Sequence, residues 1–197
     1  MVSDLINYPN LKKVSNNRKE INYANRGMSL EKDLDLTNEF YRSSGKAVIH
    51  KKPIPLQIVS VDYQRRSAAK ITEAYFKIPS TTDYNGVYRG YYLDFDAKET
   101  NSLSSFPFSS LHRHQFEHLN AVREQGGIAF LIIRFSRRDE DYLVLAKDIE
   151  AFRQENLRKS LPYDWFKQKA FKIRNSLNPR LCYLEVIDII IKEADYV

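Results

Sequence analysis

Thr81-Thr82-Asp83-Tyr84-Asn85-Gly86-Val87-Tyr88-Arg89-Gly90-Tyr91-Tyr92-Leu93-Asp94-Phe95-Asp96-Ala97-Lys98 is the stretch on which the reading of this chain turns. It is crowded with aromatic residues and punctuated by Gly86 and Gly90, so it reads as one or two extended segments with a turn. Side chains alternate along a strand. Leu93, Phe95 and Ala97 therefore share the core face, and Asp94, Asp96 and Lys98 share the other. Asp96 and Lys98 emerge side by side, and Asp83, ahead of the hairpin, can return to the same end. Magnesium takes hard oxygen ligands and keeps several waters, so two carboxylates are a typical protein contribution. Such an ion polarises a phosphodiester and lowers the pKa of water. A nearby lysine orients that water or offsets charge on the phosphoryl group. An acid-x-Lys tripeptide alone is equally well a solvated strand face. The upstream acid, in a basic chain, favours the pattern of a metal-dependent nuclease.

The chain has 197 residues and a formal net charge of +6. That length suffices for one domain with a real core. The charge favours an anionic partner such as nucleic acid, although a ribosome or an anionic membrane satisfies the same number. Cys182 is the only cysteine, so no intrachain disulfide forms, and it reads as a small core residue. No apolar run approaches the roughly 20 residues of a membrane span, and the N-terminus lacks the apolar core of a signal peptide. The expected location is cytoplasmic, without a membrane partner.

Upstream of the deciding stretch, residues 1–27 are polar and Asn-rich, with Lys12, Lys13, Arg18, Lys19 and Arg26 outnumbering Asp4 and Glu20. They read as a flexible basic arm, able to touch phosphates without reading bases. The plain alternative is an inert tail. Ser29 is a suitable N-cap for a helix carrying Leu30, Leu34, Thr37 and Tyr41 at helical spacing, with Phe40 flanking and Gly45 as its stop. Glu31 suits the dipole of the first turn. The segment 47–50 is a short strand, and Pro53 and Pro55 argue for an edge or a bend. Leu56 to Val61 is extended again. Asp62 to Lys77 interleaves Arg65, Arg66, Lys70 and Lys77 with Tyr63, Tyr75 and Phe76, which suits phosphate contact and base stacking.

Downstream, Asn101 to Ser110 reads as a polar loop. A helix from about Ser110 to Gln125 stops at Gly126-Gly127 and carries Leu111, Gln115, Leu119 and Val122 on its inward stripe, joined by His118. Gln115 is the odd polar residue there, and a buried amide needs partners. A metal-associated water, a phosphate or a structural hydrogen bond each supplies one. His114 and His118 lie one turn apart, but no cysteine or His-Glu-x-x-His pattern accompanies them, so the histidines are expected to meet DNA or solvent rather than zinc. Ile128 to Phe135 reads as a buried central strand, Asp139 to Asp141 as a turn and Tyr142 to Ala146 as the next strand. Asp148 is expected to cap a helix to about Leu157. Leu161 to Ile173 holds Trp165 as a core or interface residue, and Arg180 to Ile191 reads as a final strand or strand pair. The predicted fold class is α/β, a single domain over 28–197 with a mixed sheet flanked by helices.

Taken with its flanks, the chain resembles the RecU family of Holliday junction resolvases, which carry a PD-(D/E)xK-type, restriction-endonuclease-like core. The matching pieces are Asn25-Arg26-Gly27-Met28, Ala47-Val48-Ile49-His50-Lys51-Lys52-Pro53, Arg66-Ser67-Ala68-Ala69, Glu73-Ala74-Tyr75-Phe76, the segment 81–90, Asp94-Phe95-Asp96-Ala97-Lys98-Glu99-Thr100 and His114-Gln115. The resemblance implies that Thr81, Asp83, Asp96 and Gln115 surround a magnesium ion, with Mn2+ as a substitute. It also implies that Lys98 stabilises the transition state and that Arg26 reaches towards the scissile phosphate. Residues about 62–78 become an inserted stalk entering the junction, with Arg65, Arg66, Lys70, Tyr75, Phe76 and Lys77 on DNA. The partners implied are four-way junction DNA, a second copy of the chain in a homodimer, and a recombinase or branch-migration proteins. One departure is visible: the family usually has Glu where this chain has Asp96. The competing readings are a non-catalytic protein that binds branched DNA or modulates a recombinase, and a Mg2+ nuclease for linear nucleic acid.

Overall fold

The computed structural model describes residues 29–62, 69–77 and 81–193. Helix α1 (Leu30–Ser43) opens with Ser29 as its cap, whose hydroxyl accepts the Lys32 amide at 3.3 Å. It presents Leu30, Leu34, Thr37 and Tyr41 inward and ends before Gly45, at φ +66°. Strands β1 (Val48–Lys51), β4 (Tyr84–Tyr88), β5 (Tyr91–Thr100), β7 (Ile128–Phe135), β8 (Glu140–Leu145) and β10 (Phe171–Ile173) form one sheet in the order β1-β4-β5-β7-β8-β10. All its pairs are antiparallel except β5–β7. The parallel step is bridged by α2 (Arg113–Glu124), as a parallel pair requires a crossover. β5 and β7 are thus central, which is why β7 is apolar on both faces.

The sheet has a core on each side. Leu93, Phe95, Phe130, Ile132 and Leu143 face α1 and α5 (Tyr183–Lys192). Leu131, Ile133, Phe135 and Val144 face α2, α3 (Ala146–Glu155) and α4 (Tyr163–Lys169). A separate ribbon, β2 (Leu56–Asp62) against β3 (Lys70–Phe76), sits outside this sheet. Two three-residue strands, β6 (Ser105–Pro107) and β9 (Ser160–Pro162), pair with each other. Among the described residues no helix is long and apolar enough to cross a membrane.

Five sequence expectations change. The stretch 183–192, expected as a strand, is helix α5. Its β-branched run favours a strand locally, but Tyr183, Leu184, Val186, Ile187 and Ile190 recur at helical spacing and bury one face against the sheet. Asp148 lies inside the first turn of α3, whose cap position is Leu145, with no side-chain cap. β8 begins at Glu140, two residues earlier than expected, because the turn occupies 136–139 with Asp139 at φ +55°. The expected loop 101–110 contains β6 and a single 3₁₀ turn, Phe108–Ser110. Helix α2 starts at Arg113 rather than Ser110. Cys182 is buried at the start of α5, as expected of a core residue.

Candidate active site

The site grows out of the β4–β5 hairpin. Its two-residue turn, Arg89-Gly90, takes positive φ at both positions, the twist that fits antiparallel strands. That turn fixes the register: Tyr88 opposes Tyr91 and Tyr84 opposes Phe95. Asp83, one residue before Tyr84, is thereby delivered beside Asp96, one residue after Phe95. The alternation expected along β5 holds, with Leu93, Phe95 and Ala97 in the core against α1 and α5. The opposite face is not a solvated one. Asp94 and Asp96 are both fully buried.

Asp96 Oδ1 accepts the Ala97 amide at 2.9 Å, and Oδ2 accepts Lys98 Nζ at 2.9 Å. The Asp83 carboxyl stands within hydrogen-bonding reach of Asp96. Burial first, then the contact with Asp83, pushes Asp96 from its ordinary 3.8 up to about 7, against the downward pull of Lys98. Two facing carboxylates need a shared proton or a cation between them. Lys98 is mostly buried, so its ammonium is held at the acid pair rather than in bulk water. Asp83, Asp96 and Lys98, read from the sequence as one unit, are therefore brought together.

Thr81 lies two residues before Asp83, half-buried, with its hydroxyl 3.4 Å from the Thr82 carbonyl. Gln115 is buried in the first turn of α2. Its Oε1 accepts the His112 amide at 3.3 Å, completing a capping box. Its inward polarity thus has a local structural cause, and the amide oxygen keeps a second lone pair. No hydrogen bond links Thr81 or Gln115 to the acid pair. Glu31 pairs with Lys51 at 2.7 Å and is half-exposed at the rim.

No group of three or more His, Cys, Asp or Glu side chains able to hold a metal occurs among the described residues. The acids available are two, with hydroxyl and amide oxygens as the other expected donors. That set fits a hard cation that retains water, and it offers no soft ligand. His118 does not simply meet solvent: its Nε2 lies 3.3 Å from Asp94 Oδ2. Asp94 was not singled out from the sequence, although its position two residues from Asp96 puts it on the same face. It gathers Thr82, Lys52, Tyr92 and His118, four residues far apart in the chain.

Of the residues expected on DNA, Lys70, Tyr75 and Phe76 lie on β3 and Lys77 follows it, all exposed. Arg26, Arg65 and Arg66 lie outside the described residues.

The model of the family "RecU: Recombination protein U" matches residues 25–189. The chain belongs to the RecU family. It is 50% identical over 192 residues to the Holliday junction resolvase RecU of Ligilactobacillus salivarius (strain UCC118), covering 96% of this chain and 90% of that one. It is 47% identical over 205 residues to the protein of the same name from Staphylococcus carnosus (strain TM300), covering 96% and 99%. Among solved structures, Archaeoglobus fulgidus Hjc, a Holliday junction resolvase, aligns with 73% of this chain and 95% of its own at 12% identity, with a TM-score of 0.43. The RecU match begins upstream of α1 and ends within α5, so it takes in the acid pair, Lys98 and the β2–β3 ribbon.

Proposed function

We propose that this RecU protein is a Mg2+-dependent endonuclease that resolves four-way DNA junctions by paired, symmetric nicks. The observation that carries the reading is the buried Asp83–Asp96 pair with Lys98 Nζ 2.9 Å from Asp96 Oδ2. A protein that only bound phosphates would gain nothing from two acids buried face to face. The names of the relatives and the family match support the substrate class.

Asp83 and Asp96 would hold the metal, with Thr81 and Gln115 in its surroundings. A bound magnesium ion supplies Lewis acidity at the phosphoryl oxygen and acidifies water near neutral pH. Lys98, held beside Asp96, would offset the charge that builds on the phosphoryl group. Burial of the pair excludes competing water and strengthens each of these interactions.

The β2–β3 ribbon serves as the stalk, with its base at Leu56 and Phe76. Its apolar side chains Leu56, Ile58, Val59, Ile71, Tyr75 and Phe76 are all exposed, Phe76 at 79%. A two-stranded ribbon that buries so little is marginal alone, and exposed apolar groups on it mark a surface for a partner. Lys70 and Lys77 place charge beside the aromatic pair, a combination that suits nucleic acid. The arm 1–27 and Arg26 extend the contact with phosphates. A C2 homodimer sets two identical sites on opposed strands of a two-fold junction. Recognition is of shape and phosphate, and the setting is the cytoplasm.

The test is cleavage of a synthetic four-way junction beside a linear duplex of the same sequence, with magnesium and with chelator. Paired nicks in the junction only, lost with chelator, are expected. Equal cutting of the linear duplex would remove the junction from the account.

A further inference from the structure

We propose that Asp94 is a positioning residue that sets the spacing of the three elements on which the metal site is built. The inference rests on the reading of Asp83 and Asp96 as metal ligands. Asp94 is fully buried on β5, two residues before Asp96 and on the same face. Thr82 Oγ1 donates to its Oδ1. Lys52 Nζ at 2.9 Å, Tyr92 Oη at 2.8 Å and His118 Nε2 at 3.3 Å converge on its Oδ2. Three partners meet Oδ2 and one meets Oδ1, so both oxygens of Asp94 are engaged by the protein itself, which suits a support of the site.

Each partner ties down something different. Thr82 lies between Thr81 and Asp83, and its hydroxyl also accepts Lys52 Nζ at 2.9 Å. The Lys52 amide donates to the Asp83 carbonyl at 2.7 Å, so one residue grips this segment by side chain and backbone. His118 lies one helical turn after Gln115 on α2, so its contact with Asp94 fixes the depth of that helix on the sheet. Asp94 thus joins the Thr81–Asp83 segment, the α2 turn that carries Gln115, and β5 with Asp96. The Lys52 ammonium and the Asp94 carboxylate neutralise each other in a salt bridge. A buried, fully satisfied network of this kind holds one geometry, while a half-satisfied one does not.

The experiment measures Mn2+ binding to the full chain by paramagnetic resonance of the free ion, with junction binding in chelator and the thermal midpoint measured alongside. The variants are Asp94→Asn, Thr82→Val, Thr82→Ser and Asp83→Asn. Asp94→Asn and Thr82→Val are expected to weaken Mn2+ binding about tenfold or more, while Thr82→Ser, which keeps the hydroxyl, stays within about twofold of the natural chain. Junction binding in chelator stays at the natural level in all four, which a general loss of structure would not allow. Thr82→Val keeps shape and charge and carries the test if Asp94→Asn does not fold. If Asp83→Asn abolishes Mn2+ binding while Asp94→Asn and Thr82→Val bind as the natural chain does, the positioning role is wrong and the metal site stands. If Asp83→Asn leaves Mn2+ binding intact, the metal reading fails and this inference fails with it.

Discussion

Tyr84 and Phe95 face each other across the β4–β5 ladder with their rings stacked at 5.0 Å and 8°. Phe95 stacks in turn on Phe130 at 4.7 Å. This column is the structural reason the acids meet, because Asp83 and Asp96 are the residues next along the two strands. Phe95→Ala removes the centre of the column and is expected to cost about 3–5 kcal/mol of stability. Urea unfolding checks it, and a cost under about 1 kcal/mol would mean the column is not what holds the hairpin.

Gly86 sits in the middle of β4 because β1 passes too close for a side chain. A Cβ there would come within 2.1 Å of the Val48 carbonyl oxygen and 2.6 Å of Ile49 Cα. Both are backbone, so neither can swing aside. Gly86→Ala is expected to destabilise by about 3 kcal/mol. It also loosens β1, which leads to Lys52 and the Asp94 network. The thermal midpoint and amide exchange across β1 would report the two effects.

The acid pair makes stability depend on pH in a direction that can be fixed beforehand. Asp96 is raised from 3.8 to about 7 by burial and by Asp83. Between those values the folded, metal-free protein keeps a proton that the unfolded chain has released, so its stability falls as pH rises through this window. With Asp83 and Asp96 proposed to hold Mg2+ in place of that proton, Mg2+ is expected to stabilise more at pH 8 than at pH 5. Denaturation midpoints in chelator and in Mg2+ across pH 5–8 test both statements. Asp96→Asn should flatten the slope in chelator.

At the far end of β7, Arg134 bridges two acids. It donates to Asp141 Oδ1 at 2.7 Å and to Asp33 Oδ2 at 2.8 Å, joining β8 to α1. Arg180 also holds Asp33, and Asn175 also holds Asp141. Arg134→Ala leaves Asp141 buried with only the amide of Asn175, and breaking such a pair is expected to cost about 3 kcal/mol or more. Calorimetry decides it, and a neutral result would show that Asn175 and solvent suffice.

Phe76 gives the opposite expectation. It is exposed and touches little, so Phe76→Ala should leave the thermal midpoint unchanged, within about 0.5 kcal/mol. If the ribbon enters the junction, the same change weakens junction binding and spares binding to linear duplex. A gel-shift comparison of the two DNAs separates these outcomes.

Much of this was legible along the chain because local signals agreed. Ser29, the spacing of Leu30, Leu34 and Tyr41, and Gly45 all point to one helix, and α1 is that helix. The alternation of Leu93, Phe95 and Ala97 against Asp94 and Asp96 predicts the faces of β5, and the hairpin brings Asp83 back as its position suggests. The misreading of α5 has a physical cause: Val186, Ile187, Ile189, Ile190 and Ile191 favour a strand locally, and only burial against the sheet selects the helix. The Asp94 network was hidden for another reason. Lys52, Thr82, Tyr92 and His118 carry no shared spacing, and only the sheet order and the crossover helix bring them to one carboxylate. Gln115 was rightly read as polar and inward, but its nearest partner is the backbone at the start of its own helix.

The central claim is that the Asp83–Asp96–Lys98 cluster cuts DNA junctions. The most direct measurement is single-turnover cleavage of a labelled four-way junction in Mg2+ by the natural chain, Asp83→Asn, Asp96→Asn and Lys98→Ala, with junction affinity measured on the same samples in chelator. The account predicts symmetric nicks by the natural chain and loss of cleavage by at least about 100-fold in each variant, with junction affinity retained. Undiminished cleavage by Asp96→Asn, or tight binding by the natural chain without any cut in Mg2+ or Mn2+, would contradict it.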